Sequence, residues 1–367
     1  MMAYFDNAAT TLTKPPDVLA AVQNAMQTMT GVGRGGYRQA ELAAEAVYEC
    51  RELAGKLFGA APEQVVFTMN GTHALNLAIR SLVRPGGSVV ISGFEHNAVV
   101  RPLYALSAKI TVAGKKLYGR EDLLEEFDRA IRPGLDAVIC TQVSNVFGWR
   151  LPVERIGELC RSRGVPFIVD CAQSAGCVPV TLLSTGADFL AMPGHKGLYG
   201  PQGTGLLICG RRPEPLIFGG TGSLAMLPQM PEELPDRVEA GTHNVPGICG
   251  LSAGIRFVLE KTPGRIGAGE TELARYFAAR VRAGGRYRVF YGPEQTGVVS
   301  VQHRVLDCEM LAGFLAERDV AVRAGLHCAP LAHRSAGTQD AGTVRVSFSA
   351  FHTPEDAAKL VKILCDF

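Results

Sequence analysis

The sequence predicts an α/β protein with a mainly parallel central sheet, followed by a smaller α+β domain. Short apolar runs alternate with helix-length segments over residues 65–192, which is typical of βαβ units. These runs are apolar throughout, as expected for strands covered on both faces of a parallel sheet. From residue 251 onward helices and strands follow in a mixed order, which indicates an α+β arrangement.

The first part of the chain contributes the predicted central sheet. Before it, residues 17–29 have a helical pattern. The strand-like apolar runs are 65–68, 88–92, 109–113, 136–143, 165–170 and 189–192, and the helical segments between them are 73–83, 97–107, 121–130 and 153–162. Residues 210–247 are rich in Gly and Pro and contain apolar side chains, so we predict one long loop there rather than a linker.

The second part of the chain contributes the predicted smaller domain. Helices are expected over 251–261, 269–283, 308–317 and 354–365, and strands over 288–291, 297–302, 319–323 and 343–348. Nothing in the sequence indicates an internal repeat.

The composition excludes several classes of protein. A length of 367 residues suggests about two domains, and the net charge of +2 gives no reason to expect a nucleic acid or membrane partner. The N-terminus lacks the pattern of a signal peptide, and no uncharged apolar stretch reaches the ~20 residues that span a bilayer. The ten cysteines are scattered without a Cys-x-x-Cys pair, which argues against disulfides and against a metal site. We therefore expect a soluble, cytoplasmic protein.

A glycine-rich segment at residues 31–36 matches the G-x-G-x-x-G pattern of dinucleotide sites. That pattern has meaning only between a strand and a helix of a βαβ unit. Here it follows a helical stretch with no strand before it. We predict a loop near the active site instead of a nucleotide site.

Ligands of parallel sheets bind beyond the carboxyl ends of the strands, so the residues after each apolar run are the candidates for a site. Asp170 ends a strand and could hold a cationic ring nitrogen or cap the next turn. His96 follows another strand and could stack on a planar ligand or be an ordinary loop residue. Gly71 and Thr72 open a helix, where backbone N–H groups bind phosphate or simply form an N-terminal cap.

Lys196 lies in a glycine-rich turn after the apolar run 189–192. An isolated lysine in such a turn is normally a solvated loop residue. A lysine made nucleophilic by its surroundings is what Schiff-base chemistry requires.

Taken together, these segments resemble the class V aminotransferase-fold enzymes that depend on pyridoxal 5′-phosphate (PLP), and among them the cysteine desulfurases and selenocysteine lyases. The segments that carry the resemblance are 4–11 (YFDNAATT), 66–79, 95–97 (EHN), 169–174 (VDCAQS) and 194–196 (GHK). The resemblance implies the PLP-dependent transferase fold of the aspartate aminotransferase type. With this fold we expect a large PLP-binding domain over 15–250 and a small domain formed by 1–14 and 251–367.

The resemblance also implies roles for individual residues. Lys196 would carry the cofactor as a Schiff base, Asp170 would keep its ring nitrogen protonated, and Gln173 would bond its ring oxygen. His96 would stack on the ring. The residues implied for the phosphate are Gly71, Thr72, His73, His195 and Thr242. Thr242 lies in a segment (239–242, EAGT) that would reach the phosphate of a partner subunit, which implies a homodimer.

The substrate side of the implied site comprises Asn145 and Arg345, which would hold the carboxylate of a small amino acid. One position departs from the family pattern, because Pro193 stands where desulfurases have a phosphate-binding Ser. That contact is lost or replaced, by His73 or by a backbone N–H.

Cys328 decides which reaction we predict. It lies in 323–330 (RAGLHCAP), which resembles the Arg-x-Gly-His-His-Cys-Ala segment of the second desulfurase group, with Leu326 in place of the first His. A cysteine beside a histidine and near an arginine is expected to favour the thiolate. The alternative is a buried structural cysteine in a relative that catalyses another reaction.

The predicted reaction is desulfuration of L-cysteine, or of L-selenocysteine, to L-alanine. Lys196 would remove the Cα proton, with His96 also in the catalytic set, and the Cys328 thiolate would take the sulfur as a persulfide for a sulfur-acceptor protein. Two alternatives stay open: another class V reaction, such as transamination or a PLP lyase reaction of a small amino acid, and a non-catalytic role in sulfur relay.

Overall fold

A computed structural model describes residues 2–33 and 35–365. Arg34, which belongs to the glycine-rich segment 31–36, and residues 1, 366 and 367 of the predicted small domain lie outside the described residues. The strands, numbered along the chain, begin with β1 (Ala3–Tyr4) near the N-terminus.

Seven strands form the central sheet. They are β2 (Val65–Thr68), β3 (Ser88–Ser92), β4 (Lys109–Ala113), β5 (Ala137–Thr141), β6 (Phe167–Asp170), β7 (Phe189–Pro193) and β8 (Gly205–Cys209). Their order is β2-β8-β7-β6-β5-β3-β4, with β8 antiparallel to both of its neighbours and the other pairs parallel. The prediction of an α/β fold with a mainly parallel sheet is confirmed, although β8 was not predicted.

Helices cover both faces of this sheet. They are α1 (Pro16–Thr28), α2 (Arg38–Phe58), α3 (Gly71–Leu82), α4 (Asn97–Ala105), α5 (Arg120–Ala130), α6 (Val153–Ser162), α7 (Leu182–Thr185) and α8 (Val245–Lys261). Two apolar clusters, one on each face, fill the space between helices and sheet. The 21-residue helix α2 was not predicted, and α8 begins at Val245 rather than at residue 251. Of the loop predicted over 210–247, residues 210–244 contain no regular element, and residues 245–247 belong to α8.

The second part of the chain forms a smaller layer of helices on an antiparallel sheet. Its elements are α9 (Pro263–Ala283), β9 (Tyr287–Phe290), β10 (Val298–His303), α10 (Cys308–Ala316), β11 (Val320–Ala321), β12 (Arg323–Gly325), α11 (Pro330–Ala336), β13 (Thr343–Ser347) and α12 (Pro354–Cys365). The sheet order is β12-β13-β10-β9, and β1 pairs with β11, so the N-terminus joins this part. The strand expected over 319–323 is divided into β11 and β12, and the short helix α11 was not predicted.

Helix α8 packs against α1 and α2. Its residues Val245, Ile248 and Leu251 share an apolar cluster with Val47 and Phe58 of α2. The predicted boundary at residue 250 therefore falls inside a helix that packs on the large sheet; the domain boundaries themselves stay a prediction. Within the described ranges, no helix combines the length and the apolar character needed to cross a membrane.

Candidate active site

The carboxyl ends of the parallel strands open on one pocket of about 100 Å³. The predicted residues that line it are Gly71, Thr72, His96, Asn145, Asp170, Gln173, His195 and Lys196. They come from segments that are far apart in the sequence, and the strand order brings them together. His73 and Thr242 line a second pocket of about 220 Å³, and neither pocket is lined by Cys328 or Arg345.

Lys196 lies in the tight turn that follows β7. Glycines are required on both sides of it, since a Cβ at Gly194 would lie 2.2 Å from the Thr204 hydroxyl and one at Gly197 would lie 2.3 Å from the Ala175 carbonyl oxygen. Burial and, to a smaller extent, the positive charge of Arg345 lower the pKa of Lys196 to about 8, against the opposing effect of Asp170. With this pKa, an appreciable fraction of the lysine is neutral near pH 7, and only the neutral amine acts as a nucleophile and base.

Asp170 ends β6 and is 2% exposed. Its Oδ1 accepts a hydrogen bond from Ala172 N at 2.8 Å, so it does cap the following turn, and it also lines the Lys196 pocket. Burial raises the pKa of Asp170, while the Ala172 N–H and Lys196 act in the opposite direction. Gln173 donates from Nε2 to the Ala8 carbonyl oxygen at 2.8 Å, which ties it to the N-terminal segment.

His96 is the N-terminal cap of α4. Its Nδ1 accepts from Ala98 N at 3.0 Å, which leaves Nε2 as the protonated nitrogen of the neutral ring. Burial lowers the pKa of His96 to about 4, assisted by the charges of Lys196 and Arg345. The ring is therefore neutral at neutral pH and held at the pocket wall.

The phosphate end predicted for the pocket is the N-terminus of α3. Asn70 caps this helix by accepting from His73 N at 2.9 Å, and Gly71 and Thr72 form its first turn. A Cβ at Gly71 would lie 3.0 Å from Pro193 Cδ, so Pro193 packs directly on the glycine. The His73 side chain lies away from this end, because its Nδ1 accepts from Met69 N at 3.3 Å and it lines the second pocket; its contact with the phosphate stays a prediction.

His195 contributes an unpaired polar atom to the pocket. Its Nδ1 is buried and has no hydrogen-bond partner among the described residues. Burial and, to a smaller extent, the positive charges of Lys196 and Lys14 lower the pKa of His195 to about 4. A buried nitrogen without a partner is unfavourable unless a ligand satisfies it, so this atom favours a polar group in the pocket.

Cys328 is an exposed free thiol in the turn that follows β12. Both His327 and Cys328 have positive φ, 49° and 55°. The Cys328 carbonyl oxygen accepts from Asn97 N at 2.8 Å, next to His96, and Ala329 and Ala332 are buried in an apolar cluster of the large sheet. The turn that carries the thiol is thus fixed beside the pocket.

The expectation that His327 favours the thiolate form of Cys328 is wrong. His327 is buried, and its Nε2 lies 3.1 Å from both the carbonyl and the hydroxyl oxygen of Thr343. Burial lowers the pKa of His327 to about 2, so the ring carries no charge at neutral pH. Consecutive residues in the left-handed region place the two side chains in different surroundings although they are adjacent in the sequence. Arg323 is also engaged elsewhere, because its Nε donates to Asp6 at 3.1 Å.

Arg345 and Asn145, the two residues predicted to hold the substrate carboxylate, lie together. Arg345 lies on β13 and is 2% exposed; it donates to the Asn145 carbonyl oxygen at 3.0 Å and to Asp6 Oδ1 at 2.8 Å. Its Nε is buried without a partner among the described residues. The Asn145 side chain donates to the His327 carbonyl oxygen at 2.8 Å, which links this anchor to the Cys328 turn.

Two carboxylates of the site were not assigned from the sequence. Asp6 contacts both Arg345 and Arg323, and its place in the segment YFDNAATT was the only signal of it. Glu95 is fully buried, and its Oε1 accepts from Thr141 N at 2.8 Å and from the Ser92 hydroxyl. Burial raises the pKa of Glu95 to about 8. Among the described residues, no three His, Cys, Asp or Glu side chains are grouped so as to hold a metal ion.

Comparison with known proteins places this architecture in a family. The model of the family "Aminotransferase class-V" matches residues 3–360. A probable cysteine desulfurase of Pyrococcus abyssi is 31% identical over 98% of this chain and 93% of that protein. One of Methanothermobacter thermautotrophicus is 32% identical with the same coverage.

Solved structures give the same result for the fold. The apo structure of a cysteine desulfurase from Thermococcus onnurineus NA1 superposes with a TM-score of 0.91 at 30% identity, covering 100% of this chain and 94% of that one. The cysteine desulfurase CsdA of Escherichia coli superposes with a TM-score of 0.87 at 25% identity, covering 99% and 94%. The resemblance predicted from the sequence motifs is confirmed, and the chain belongs to the class-V aminotransferase family.

Proposed function

We propose that this protein is a PLP-dependent cysteine desulfurase that converts L-cysteine to L-alanine and keeps the sulfur on Cys328. The observation that carries the proposal is the arrangement of two reactive side chains. Lys196 lies in a pocket with Asp170 and His96, and the Cys328 turn is bonded to Asn97, the residue after His96. The similar proteins named as cysteine desulfurases support the same reaction.

The pocket fits PLP on four counts. Lys196 supplies an amine of lowered pKa, Asp170 a buried carboxyl group for a ring nitrogen, and His96 a neutral ring for stacking. The buried, unpaired Nδ1 of His195 and the N-terminus of α3 fit a phosphate. When bound, PLP supplies an electron sink for the charge that develops on the substrate Cα.

Residues of this chain bind the substrate and transfer its Cα proton. The guanidinium of Arg345 and the adjacent Asn145 hold the α-carboxylate and so orient the Cα–H bond. The Lys196 amine removes the Cα proton, which its lowered pKa favours near neutral pH. Asp170 would hold a proton on the ring nitrogen of the bound cofactor, and His96 would keep water from the ring.

Sulfur transfer takes place at Cys328. Its thiolate attacks the substrate sulfur, an S–S bond forms, and the substrate Cβ–S bond breaks. The electron pair of that bond passes to the substrate carbon, which takes a proton at Cβ and leaves as alanine. The exposure of Cys328 suits a persulfide that a sulfur-acceptor protein must reach. The same chemistry acts on L-selenocysteine.

The proposal includes a homodimer. Thr242 is exposed in this chain and does not line the Lys196 pocket, as expected for a residue that serves a partner's phosphate. Exposed apolar side chains in the preceding irregular segment favour a surface that a second subunit covers. They are Ile217, Phe218, Leu224, Met226 and Leu227.

The test is production of alanine and sulfide from L-cysteine in the presence of a reductant. Cys328→Ala should retain bound PLP and lose sulfide release by at least about 100-fold, since it removes the nucleophile. Cys365→Ala is the matched control, because Cys365 is an exposed free cysteine at the far end of α12 and should leave the rate unchanged. Unchanged sulfide release by Cys328→Ala would contradict the persulfide mechanism and favour another class V reaction.

A further inference from the structure

The segment 239–242, which is predicted to reach a partner's phosphate, begins at a buried carboxylate. Glu239 is 8% exposed, and its two oxygens accept from the Arg51 guanidinium at 2.9 and 2.5 Å. Glu239 Oε1 also accepts from Phe67 N at 2.6 Å. Arg51 is itself buried. Because moving the carboxylate would leave a buried charge without a partner, Glu239 is a fixed starting point for the segment.

His243 returns to the same carboxylate one helical turn's length later in the sequence. Its Nε2 lies 2.6 Å from Glu239 Oε2, and since a carboxylate only accepts, the imidazole donates from Nε2. The chain between them turns at Gly241, whose φ of 97° disfavours any residue with a side chain. Burial acts to raise the pKa of Glu239, but the hydrogen bonds and charges of His243 and Arg51 outweigh it and hold this pKa below its usual value. Residues 240–242 thus form a loop that one carboxylate closes at both ends.

Thr242 lies in this loop with an unused hydroxyl group. It is exposed, and its hydroxyl makes no hydrogen bond to any residue that the structure describes. Asn244, on the far side, caps α8: its Oδ1 accepts from Gly247 N at 3.1 Å, and its Nδ2 donates to the Gly203 carbonyl oxygen at 3.3 Å. The donor therefore lies between two anchors. A donor held in place binds an anion at a lower entropic cost than a flexible one.

We propose that the pairing of His243 with Glu239 preforms this loop, and that His243 thereby positions Thr242 for the phosphate of the partner subunit. This rests on the proposed homodimer and on the proposed phosphate contact of Thr242. His243 is a positioning residue, because it acts through Thr242. A donor from the partner has added value in this chain, since Pro193 has no hydroxyl to offer the phosphate.

The alternative role for the pair is to fasten the start of α8 to α2 and β2. A fastening role predicts that loss of the imidazole affects the subunit that carries the change. The positioning role predicts that it affects the phosphate site of the other subunit. The two roles therefore differ in the subunit where the effect appears, which a mixed dimer reveals.

The first measurement is the dissociation constant of PLP, obtained by equilibrium dialysis of the loaded homodimers. His243→Ala and Thr242→Ala should each weaken PLP binding by about tenfold. The double variant should bind PLP no more weakly than Thr242→Ala alone, because both residues act on one contact. His243→Gln should keep the wild-type affinity, since its amide N–H donates to Glu239 in place of the imidazole N–H.

The deciding measurement uses a mixed dimer of one His243→Ala subunit and one Lys196→Ala subunit, purified with two different tags. Only the His243→Ala subunit has the lysine that holds PLP as a Schiff base, so borohydride reduction and mass spectrometry report PLP in that subunit alone. We expect the affinity of a dimer of wild type with Lys196→Ala, because the Lys196→Ala subunit supplies an intact loop. An affinity as weak as that of the His243→Ala homodimer overturns the positioning role.

The matched control is His303→Ala. His303 is half-buried on β10, its Nδ1 accepts from Leu306 N at 3.0 Å, and its loss should leave PLP affinity unchanged. If Thr242→Ala weakens PLP binding and His243→Ala does not, the positioning role alone is overturned. If Thr242→Ala leaves PLP binding unchanged, the phosphate contact of the proposed function fails together with it. A chain that stays monomeric overturns both.

Discussion

The Lys196 pocket and the Cys328 turn are neighbours with opposite surroundings. The pocket is enclosed by the large sheet, and burial lowers the pKa of both Lys196 and His96 there. The turn comes from the small sheet, its thiol is exposed, and its histidine is buried and neutral. The proposed function places proton chemistry in the buried pocket and sulfur acceptance at the exposed turn, which predicts that each can be removed without the other.

The largest effect is expected at Lys196. Lys196→Ala removes the base and the amine that holds PLP, so alanine and sulfide formation should both fall by at least about 10³-fold. Rate assays on the PLP-loaded protein measure this, with Lys362→Ala, an exposed lysine of α12, as the control. If the variant keeps either product at a substantial rate, the pocket has been assigned to the wrong lysine.

A smaller effect is expected at Asp170. Asp170→Asn keeps an oxygen that accepts from Ala172 N but removes the negative charge, so exchange of the substrate Cα hydrogen should slow by about 10²-fold or more. Nuclear magnetic resonance in D₂O measures the exchange. Asp188→Asn is the matched control, because Asp188 also accepts from a strand N–H, that of Phe167 at 2.8 Å. Equal slowing in both variants would indicate a structural effect.

The smallest expected effect concerns stability rather than catalysis and lies at Glu270, a buried carboxyl group on α9. Burial raises its pKa from 4.5 to about 8. Between these values the unfolded chain ionises this group and the folded chain does not, so its contribution to stability is complete at low pH and is lost as the pH rises toward 8.

Glu270→Gln removes this dependence. The free energy of unfolding of the wild type should therefore fall relative to that of the variant by about 1.4 kcal/mol per pH unit in that interval. Urea unfolding at several pH values measures it, and Glu272→Gln, an exposed residue on the same helix, is the control. Parallel pH profiles for wild type and Glu270→Gln would contradict the raised pKa.

The sequence was sufficient for elements whose pattern is local. The fully apolar runs gave the parallel strands, and the Lys196 pocket followed from the rule on carboxyl ends. Strand β8 was missed because its apolar run, 205–209, follows a glycine-rich turn, and its antiparallel direction depends on the other strands. Helix α2 has buried residues three or four apart, from Ala40 to Phe58, so its helical pattern is present in the sequence.

The surroundings of the site residues could not be predicted from their positions in the sequence. His327 precedes Cys328 in the sequence, yet two positive φ values place its ring against Thr343 rather than beside the thiol. Asp6 is more than 300 residues from Arg323 and Arg345, and only the pairing of distant strands reveals their contact.

The separation of proton chemistry from sulfur acceptance is tested most directly with the Cys328→Ala variant. The measurement is exchange of the Cα hydrogen of L-alanine in D₂O. The variant should exchange the Cα hydrogen at close to the wild-type rate while it releases no sulfide from L-cysteine, and Lys196→Ala should do neither. Loss of exchange in Cys328→Ala, or sulfide release at the wild-type rate, would contradict the assignment of the two chemistries to two sites.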